Sequence, residues 1–381
     1  MNMISTFSEK GYIMRIGTIS YNIYCNFTNY GSALQTWALH QAIKKIGHTP
    51  VLVDYCPDVL SKMNPLNPFE NMWDKDDESR KMVELSMPAI RENYNKFNRF
   101  YCDRFVRTNQ KYTSQNINNI VNDESIDGFV CGSDTIFCPD EFGFDDGYYA
   151  NYESMKGKAV SYAASFGDPH FTDESYGLLD ERIKNFKALG IRENQMIPYL
   201  KNKTDIPVKR VLDPTLLLDG KEYEEIISER TRKKDYLLIY SRRYTPKMEK
   251  YAEKLANENG WEIIDISLRA INSESGHIMA YDAGVEEFLG LVKNAKFIVT
   301  NSFHGMIFSV QFKKQFVVFS REQCDNKIDE MLSLFGLRDR MLFTGDEKYL
   351  DIDYDHVHCN IENARNESMK FLEEEIELLK R

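Results

Sequence analysis

The sequence predicts an α/β protein built from two doubly wound, Rossmann-like domains that face each other across a cleft. Three observations carry this. Short β-branched or apolar runs alternate with stretches of helical spacing along most of the chain. Many of those runs end in small, polar or charged residues. The length, 381 residues, also exceeds what one hydrophobic core holds, since single cores stop growing near roughly 250–300 residues.

The first series begins after a polar leader at residues 1–13. Arg15–Ser20 reads as a strand and Asn26–Ser32 as a polar loop containing glycine. Leu34, Trp37, Ala38, Ala42 and Ile46 then recur with helical spacing, and Gly47 closes the helix. Pro50–Tyr55 is the next strand, completing a βαβ unit. Residues 60–125 are charged and irregular, with a helix around Pro88–Val106. Strands follow at Gly128–Cys131, Ala159–Ser165, Lys187–Arg192 and Val208–Leu212, with a helix near Glu174–Phe186.

The second series opens at Tyr236–Tyr240. A helix over Lys247–Asn259 ends at Gly260, and Trp261–Ile266 is a strand. Ala270–Gly284 reads as a polar loop. Val285, Phe288, Leu289 and Val292 define an amphipathic helix. Then come a strand at Lys296–Thr300, a helix at His304–Phe312, a strand at Phe316–Phe319 and a helix at Ile328–Phe335. A charged helix over Glu362–Lys380 carries the apolar Met369, Phe371, Leu372, Ile376 and Leu379. The expected organisation is an N-terminal domain over 1–210, a C-terminal domain over 211–355, and a helix at 356–381 that packs back on the first.

A formal net charge of −11 excludes nucleic acid or an anionic membrane as the main partner, but leaves room for a small anion held by local arginines. The seven cysteines are scattered with no Cys-x-x-Cys pair, which argues against a disulfide framework or a zinc site and for a reducing cytoplasm. No apolar run reaches the length of about 18 residues that spanning requires, and no signal peptide is read, so membrane association is peripheral at most. Neither G-x-G-x-x-G nor a P-loop is present. No bound cofactor and no metal are expected. His40 and His48 read as structural or solvated. His170, His277, His356 and His358 lack metal-type spacing.

In open α/β sheets, ligands bind beyond the carboxyl ends of the strands, where helix N-termini point free N–H groups. The strand ends here are Asn29-Tyr30-Gly31-Ser32, Gly132-Ser133-Asp134, Ser165-Phe166-Gly167, Arg192-Glu193, Asp213-Pro214, Ser241-Arg242-Arg243 and Asn301-Ser302-Phe303-His304. Each also has a structural reading: His304 as a helix cap or gap filler, Asp134 as a turn cap, Arg192-Glu193 as a surface pair. Together they supply guanidinium groups, a carboxylate and an imidazole, a set suited to a phosphorylated or carboxylated substrate.

Taken with Ser161-Tyr162-Ala163-Ala164-Ser165-Phe166-Gly167 and Val211-Leu212-Asp213-Pro214-Thr215-Leu216-Leu217, these segments resemble the polysaccharide pyruvyl transferase family. The resemblance runs from about Arg15 to Leu337, through several short motifs in the family's order. It implies a fold of the glycosyltransferase-B type. It also implies transfer of pyruvate from phosphoenolpyruvate onto two hydroxyls of a sugar, forming a cyclic ketal and releasing phosphate. Phosphoenolpyruvate is then a co-substrate, and the acceptor belongs to a polysaccharide or its lipid-linked precursor at the inner membrane face. By the same resemblance His304 is the catalytic or phosphate-proximal histidine and Gly132–Asp134 lines the acceptor side; the chemistry, which needs a base for the attacking hydroxyl, makes Asp134 the candidate for it. Arg192, with Asn301, Ser302 and Gly305, lies on the donor side. Asn29, Tyr30, Gly31, Gln35 and Ser133 lie on the acceptor side.

Three positions depart from the pattern. Ser302 stands where some branches place an arginine, so Arg242, Arg243 or Arg321 is expected to hold the anion. Lys327 stands for a second arginine, and Phe137 for a tryptophan that would stack on the acceptor. Two other classes remain compatible with the sequence: a nucleotide-sugar-dependent glycosyltransferase of the same architecture, and a glycan-binding relative without turnover.

Overall fold

The computed structural model describes residues 12–67, 76–229, 233–243, 245–321 and 325–380. The predicted leader therefore lies almost wholly outside the described residues. The chain forms two sheets of six strands each. The first contains β1 (Arg15–Ile19), β2 (Thr49–Leu52), β3 (Gly128–Cys131), β4 (Ala159–Ala164), β5 (Phe186–Ile191) and β6 (Val208–Arg210), in the order β2-β1-β3-β4-β5-β6. The second contains β7 (Tyr236–Tyr240), β8 (Glu262–Ile266), β9 (Ile278–Met279), β10 (Phe297–Thr300), β11 (Gln315–Phe319) and β12 (Met341–Leu342), in the order β12-β11-β10-β7-β8-β9. Every ladder is parallel. Helices cover both faces, which is why β3, β4, β7 and β10 are buried along their whole length and read as continuous apolar runs.

Both sheets reverse winding direction once: between β1 and β3 in the first, and between β7 and β10 in the second. These are the switch points where doubly wound folds open a crevice. The helix leaving β1, Tyr30–Lys45, is buried on nearly all sides. It belongs to both halves: Tyr30, Leu34 and Trp37 share one core with Phe288, Met306 and Phe308 of the second half.

Three differences from the sequence reading have local causes. The helix expected around Pro88–Val106 spans Asp77–Arg104, with Pro88 in its interior and Asp76 accepting from the Ser79 N–H as its cap. It runs across both halves. Asn93 Nδ2 donates to the Ala283 carbonyl, and Lys96 and Arg104 pair with Glu287 and Glu286. Within the expected 270–284 loop, Ile278 and Met279 form an edge strand, too short to leave a periodic signal. The C-terminal helix spans Tyr354–Glu377, starting before Glu362, and packs Phe371, Leu372 and Ile376 against Ile16, Val160 and Ala188 of the first sheet. Among the described residues no helix is long and apolar enough to cross a membrane.

Candidate active site

Two helix N-termini meet at the switch points. Asn29 caps Tyr30–Lys45 by accepting the Gly31 and Ser32 N–H groups at 3.0 and 3.4 Å. Ser302 caps the Phe303–Gln311 helix by accepting the Gly305 N–H at 3.3 Å. Gly305 lets that helix lie against Thr300 and the Tyr240 ring, where a Cβ would come within 2.4 Å of Thr300 Oγ1. His304, in the first turn, is thereby pushed against the Gly31 backbone of the other half.

Behind His304 sits an ion cluster from the ends of β5 and β6. Asp213 is fully buried; its Oδ1 accepts the Thr215 N–H at 3.0 Å and the Thr215 hydroxyl at 2.6 Å. Its Oδ2 lies 3.2 Å from Arg192 Nη1 and 3.4 Å from His304 Nε2. Burial alone would raise the Asp213 carboxyl; the imidazole of His304 and the guanidinium of Arg192 outweigh it and hold the group well below the usual carboxylate range. Arg192 also donates from Nε to Glu193 at 2.8 Å, and its guanidinium lies 5.1 Å from the Phe303 ring centroid.

Asp134 follows β3 with a positive φ of 75°. Its Oδ2 accepts from the Ser32 hydroxyl and its Oδ1 from the Thr135 N–H at 2.9 Å. Gln35 accepts the Ser133 N–H at 3.2 Å and donates to the Ser32 carbonyl at 3.0 Å. A buried amide network thus sets the loop that carries Asp134. On the second half, Asn301 accepts the Arg242 N–H and donates to the Arg243 carbonyl, both at 2.8 Å, fixing the turn after β7. The Arg242 guanidinium rests 4.2 Å from the Phe27 ring centroid.

These groups line a small pocket of about 70 Å³ formed by Asn29, Asp134, Arg192, Arg242, Ser302, Phe303, His304, Arg321 and Lys327. It shares Asn29, Asp134, Arg242, Arg321 and Lys327 with a cleft of about 1370 Å³ between the two halves. Arg243 lines only the larger cleft. So does Glu141, which accepts from the Thr135 hydroxyl at 2.7 Å and whose carboxyl is raised by its desolvated surroundings.

The structure therefore gathers Asn29, Asp134, Arg192, Arg242, Ser302 and His304, with Arg321 and Lys327, in one place. It puts other candidates elsewhere. Tyr30 faces away from the pocket: its ring stacks on Phe288 at 4.4 Å and its hydroxyl donates to the Ala283 carbonyl at 2.6 Å. An aromatic at helix position one is pulled into the core because that helix is buried between the halves. Gln35, Ser133, Asn301 and Gly305 act through hydrogen bonds and packing that shape the walls. Phe137 is fully buried and stacks on Tyr149 at 4.4 Å, so it offers no face to an acceptor. Arg192 reaches the pocket with Nε and Nη1 already engaged by carboxylates. Asp213, which the sequence offered as a strand end before proline and within the Val211–Leu217 motif but without a role, proves to be the contact of His304. Among the described residues no group of three or more His, Cys, Asp or Glu is arranged to hold a metal ion.

The arrangement can bind a small polyanion through guanidinium and ammonium groups, and can exchange protons with it through an imidazole and a carboxylate. A family model described as polysaccharide pyruvyl transferase matches residues 29–323, most of the chain, and the chain belongs to that family. Among solved structures, a protein designated UDP-N-acetylglucosamine 2-epimerase from Listeria monocytogenes aligns with a TM-score of 0.50 and 8% identity over 94% of this chain and 91% of that one. The UDP-GlcNAc 2-epimerase from Methanocaldococcus jannaschii aligns with a TM-score of 0.48 and 14% identity over 93% of each chain. The likeness to the Listeria protein, at 8% identity, shows the fold alone, and with the two parallel six-stranded sheets it gives a two-domain α/β architecture of the glycosyltransferase-B type. Comparison with curated protein sequences finds no match.

Proposed function

We propose that this member of the polysaccharide pyruvyl transferase family transfers pyruvate from phosphoenolpyruvate to two hydroxyls of a sugar, closing a ketal and releasing phosphate. The sugar belongs to a polysaccharide or to its free or lipid-linked precursor. One observation carries the reading: His304, Asp134 and the cationic Arg192, Arg242, Arg321 and Lys327 converge on a single small pocket at the switch points of both sheets.

The chemistry assigns each group a task. The donor carries a phosphate and a carboxylate, so it needs positive charge. Arg242 and Lys327 take the larger share, because Arg192 already balances Asp213 and Glu193. Ser302 contributes a capping hydroxyl rather than charge. His304 gives a proton to the methylene carbon of the enol, which makes C2 electrophilic. Asp134 accepts the proton of the first sugar hydroxyl as its oxygen bonds to C2. The C2–O bond to phosphate then breaks, the second hydroxyl adds to C2, and its proton leaves with hydrogen phosphate. Return of the Asp134 proton to His304 resets the pair, so three hydrogens end on the former methylene carbon, one on phosphate, and the charge is unchanged.

The test is phosphate release from phosphoenolpyruvate across galactose-, mannose- and glucosamine-containing acceptors, with ketal formation followed by mass spectrometry. Release that depends on acceptor, and is lost in His304→Ala, is the expected result. Wild-type-like turnover in that variant removes His304 from the chemistry. Thermal stabilisation by a nucleoside diphosphate without phosphate release points to the glycosyltransferase class, and glycan binding without any turnover to the non-catalytic one.

A further inference from the structure

We infer that Asp213 is the positioning residue for His304, holding the Nε2 proton so that Nδ1 is the ring nitrogen that exchanges protons in the pocket. This rests on the reading of His304 as the proton-transfer group. Asp213 cannot turn: it is fully buried, and its Oδ1 is held by the Thr215 N–H and hydroxyl. Its Oδ2 therefore faces Arg192 Nη1 at 3.2 Å and His304 Nε2 at 3.4 Å in a fixed geometry.

An ionised carboxylate only accepts, so the neutral imidazole beside it must present Nε2–H. The His304 Nε2 atom is buried, and Asp213 is the acidic group within ion-pair reach of it. Nε2 makes no aligned hydrogen bond here although Asp213 Oδ2 is 3.4 Å away, so a small turn of the ring closes the pair, as catalytic hydrogen bonds tighten when substrate binds. On the opposite edge of the ring, Nδ1 faces Gly31 at the start of the Tyr30–Lys45 helix; a methyl group there would stand 1.9 Å from it. The bare lone pair of Nδ1 is thus turned to the positive end of a helix, and only the absence of a side chain at residue 31 lets the ring approach it. Nδ1 delivers its proton to the donor methylene carbon and, once bare, is recharged by the proton that Asp134 took from the first sugar hydroxyl.

The test needs neither donor nor acceptor. The full chain is labelled with ¹⁵N-histidine, and long-range ¹H–¹⁵N spectra are recorded at alkaline pH, with the His304 signals identified by their loss in His304→Gln. The expected pattern is protonated Nε2 and bare Nδ1; the reverse tautomer in the wild-type protein overturns the inference. In Asp213→Asn the Thr215 N–H, a fixed backbone donor, holds the amide oxygen; the NH₂ then displaces the Arg192 Nη1 contact and faces His304, whose tautomer inverts. The turnover number should then fall roughly 10³-fold or more, with the donor KM little changed, as when a triad carboxylate becomes an amide. Retention of the Nε2–H form in Asp213→Asn also overturns the inference. Should that variant not fold, the wild-type spectrum decides alone. A chain that forms no ketal but shows the Nε2–H form would sink the proposed function and leave this geometry standing.

Discussion

Gly31 and His304, from opposite halves of the molecule, touch so closely that a Cβ on residue 31 would sit 1.9 Å from the imidazole Nδ1. The candidate site therefore exists only where the two sheets dock. Its histidine arrives on the helix after β10 and its wall on the helix after β1. The inter-half core around Tyr30, Tyr240 and Phe288 sets that distance.

Gly31→Ala should therefore act on chemistry more than on folding. The added methyl group displaces the ring, and a misplacement of about 1 Å costs roughly 10²-fold in rate. Helix propensity favours alanine over glycine by about 1 kcal/mol, offsetting part of the strain. Steady-state kinetics beside a thermal melt will check this; an unchanged turnover number would mean that the ring is not held as described.

Cation removal should separate binding from stability. Lys327→Met and Arg242→Ala should each raise the donor KM by about tenfold or more, the size of one charge-assisted hydrogen bond. Arg192→Ala should instead destabilise the protein by about 3–5 kcal/mol, since it leaves Asp213 and Glu193 buried beside no guanidinium. Donor titrations and denaturant unfolding of the three variants give the comparison.

Tyr30→Phe removes two hydrogen bonds of a buried hydroxyl, one donated to the Ala283 carbonyl and one accepted from Asn93 Nδ2, and should cost about 1–2 kcal/mol of stability. The acceptor KM should not move. A raised acceptor KM at full stability would return Tyr30 to the acceptor site.

Asp145 offers a pH test away from the chemistry. Burial raises its carboxyl from 3.8 to about 6, against hydrogen bonds from the Tyr148 N–H, the Tyr55 hydroxyl and the Gly147 N–H. The folded state thus binds the proton more tightly than the unfolded chain does. The stability this group contributes is complete below the unfolded value and is lost as pH rises through about 6. Asp145→Asn should flatten the stability profile in that window, and denaturant unfolding at successive pH values measures it.

Much of the fold was legible because parallel strands buried on both faces leave continuous apolar runs, and helices beside them leave their own period. Gly128–Cys131 and Phe297–Thr300 were found this way, each with its polar end in place. The long helix was cut short because Pro88 resembles a beginning, whereas the true start is the Asp76 cap, twelve residues earlier along a charged stretch. Asn29 and Tyr30 are adjacent in the sequence and looked alike as candidates; one lines the pocket and the other fills the core.

The sequence by itself determined the two α/β series, the polar residues at the strand ends, and the family. Those signals are local: spacing, β-branching, turn chemistry and short motifs each act over a few neighbouring residues. Only the tertiary structure decided that Asp213 faces His304, that Arg192 is shared between two carboxylates, and that Gly31 packs against the imidazole. Those partners come from separate segments of the chain. Their contacts arise when the sheets bury a common core, and local periodicity records that a side chain is buried without recording what it is buried against.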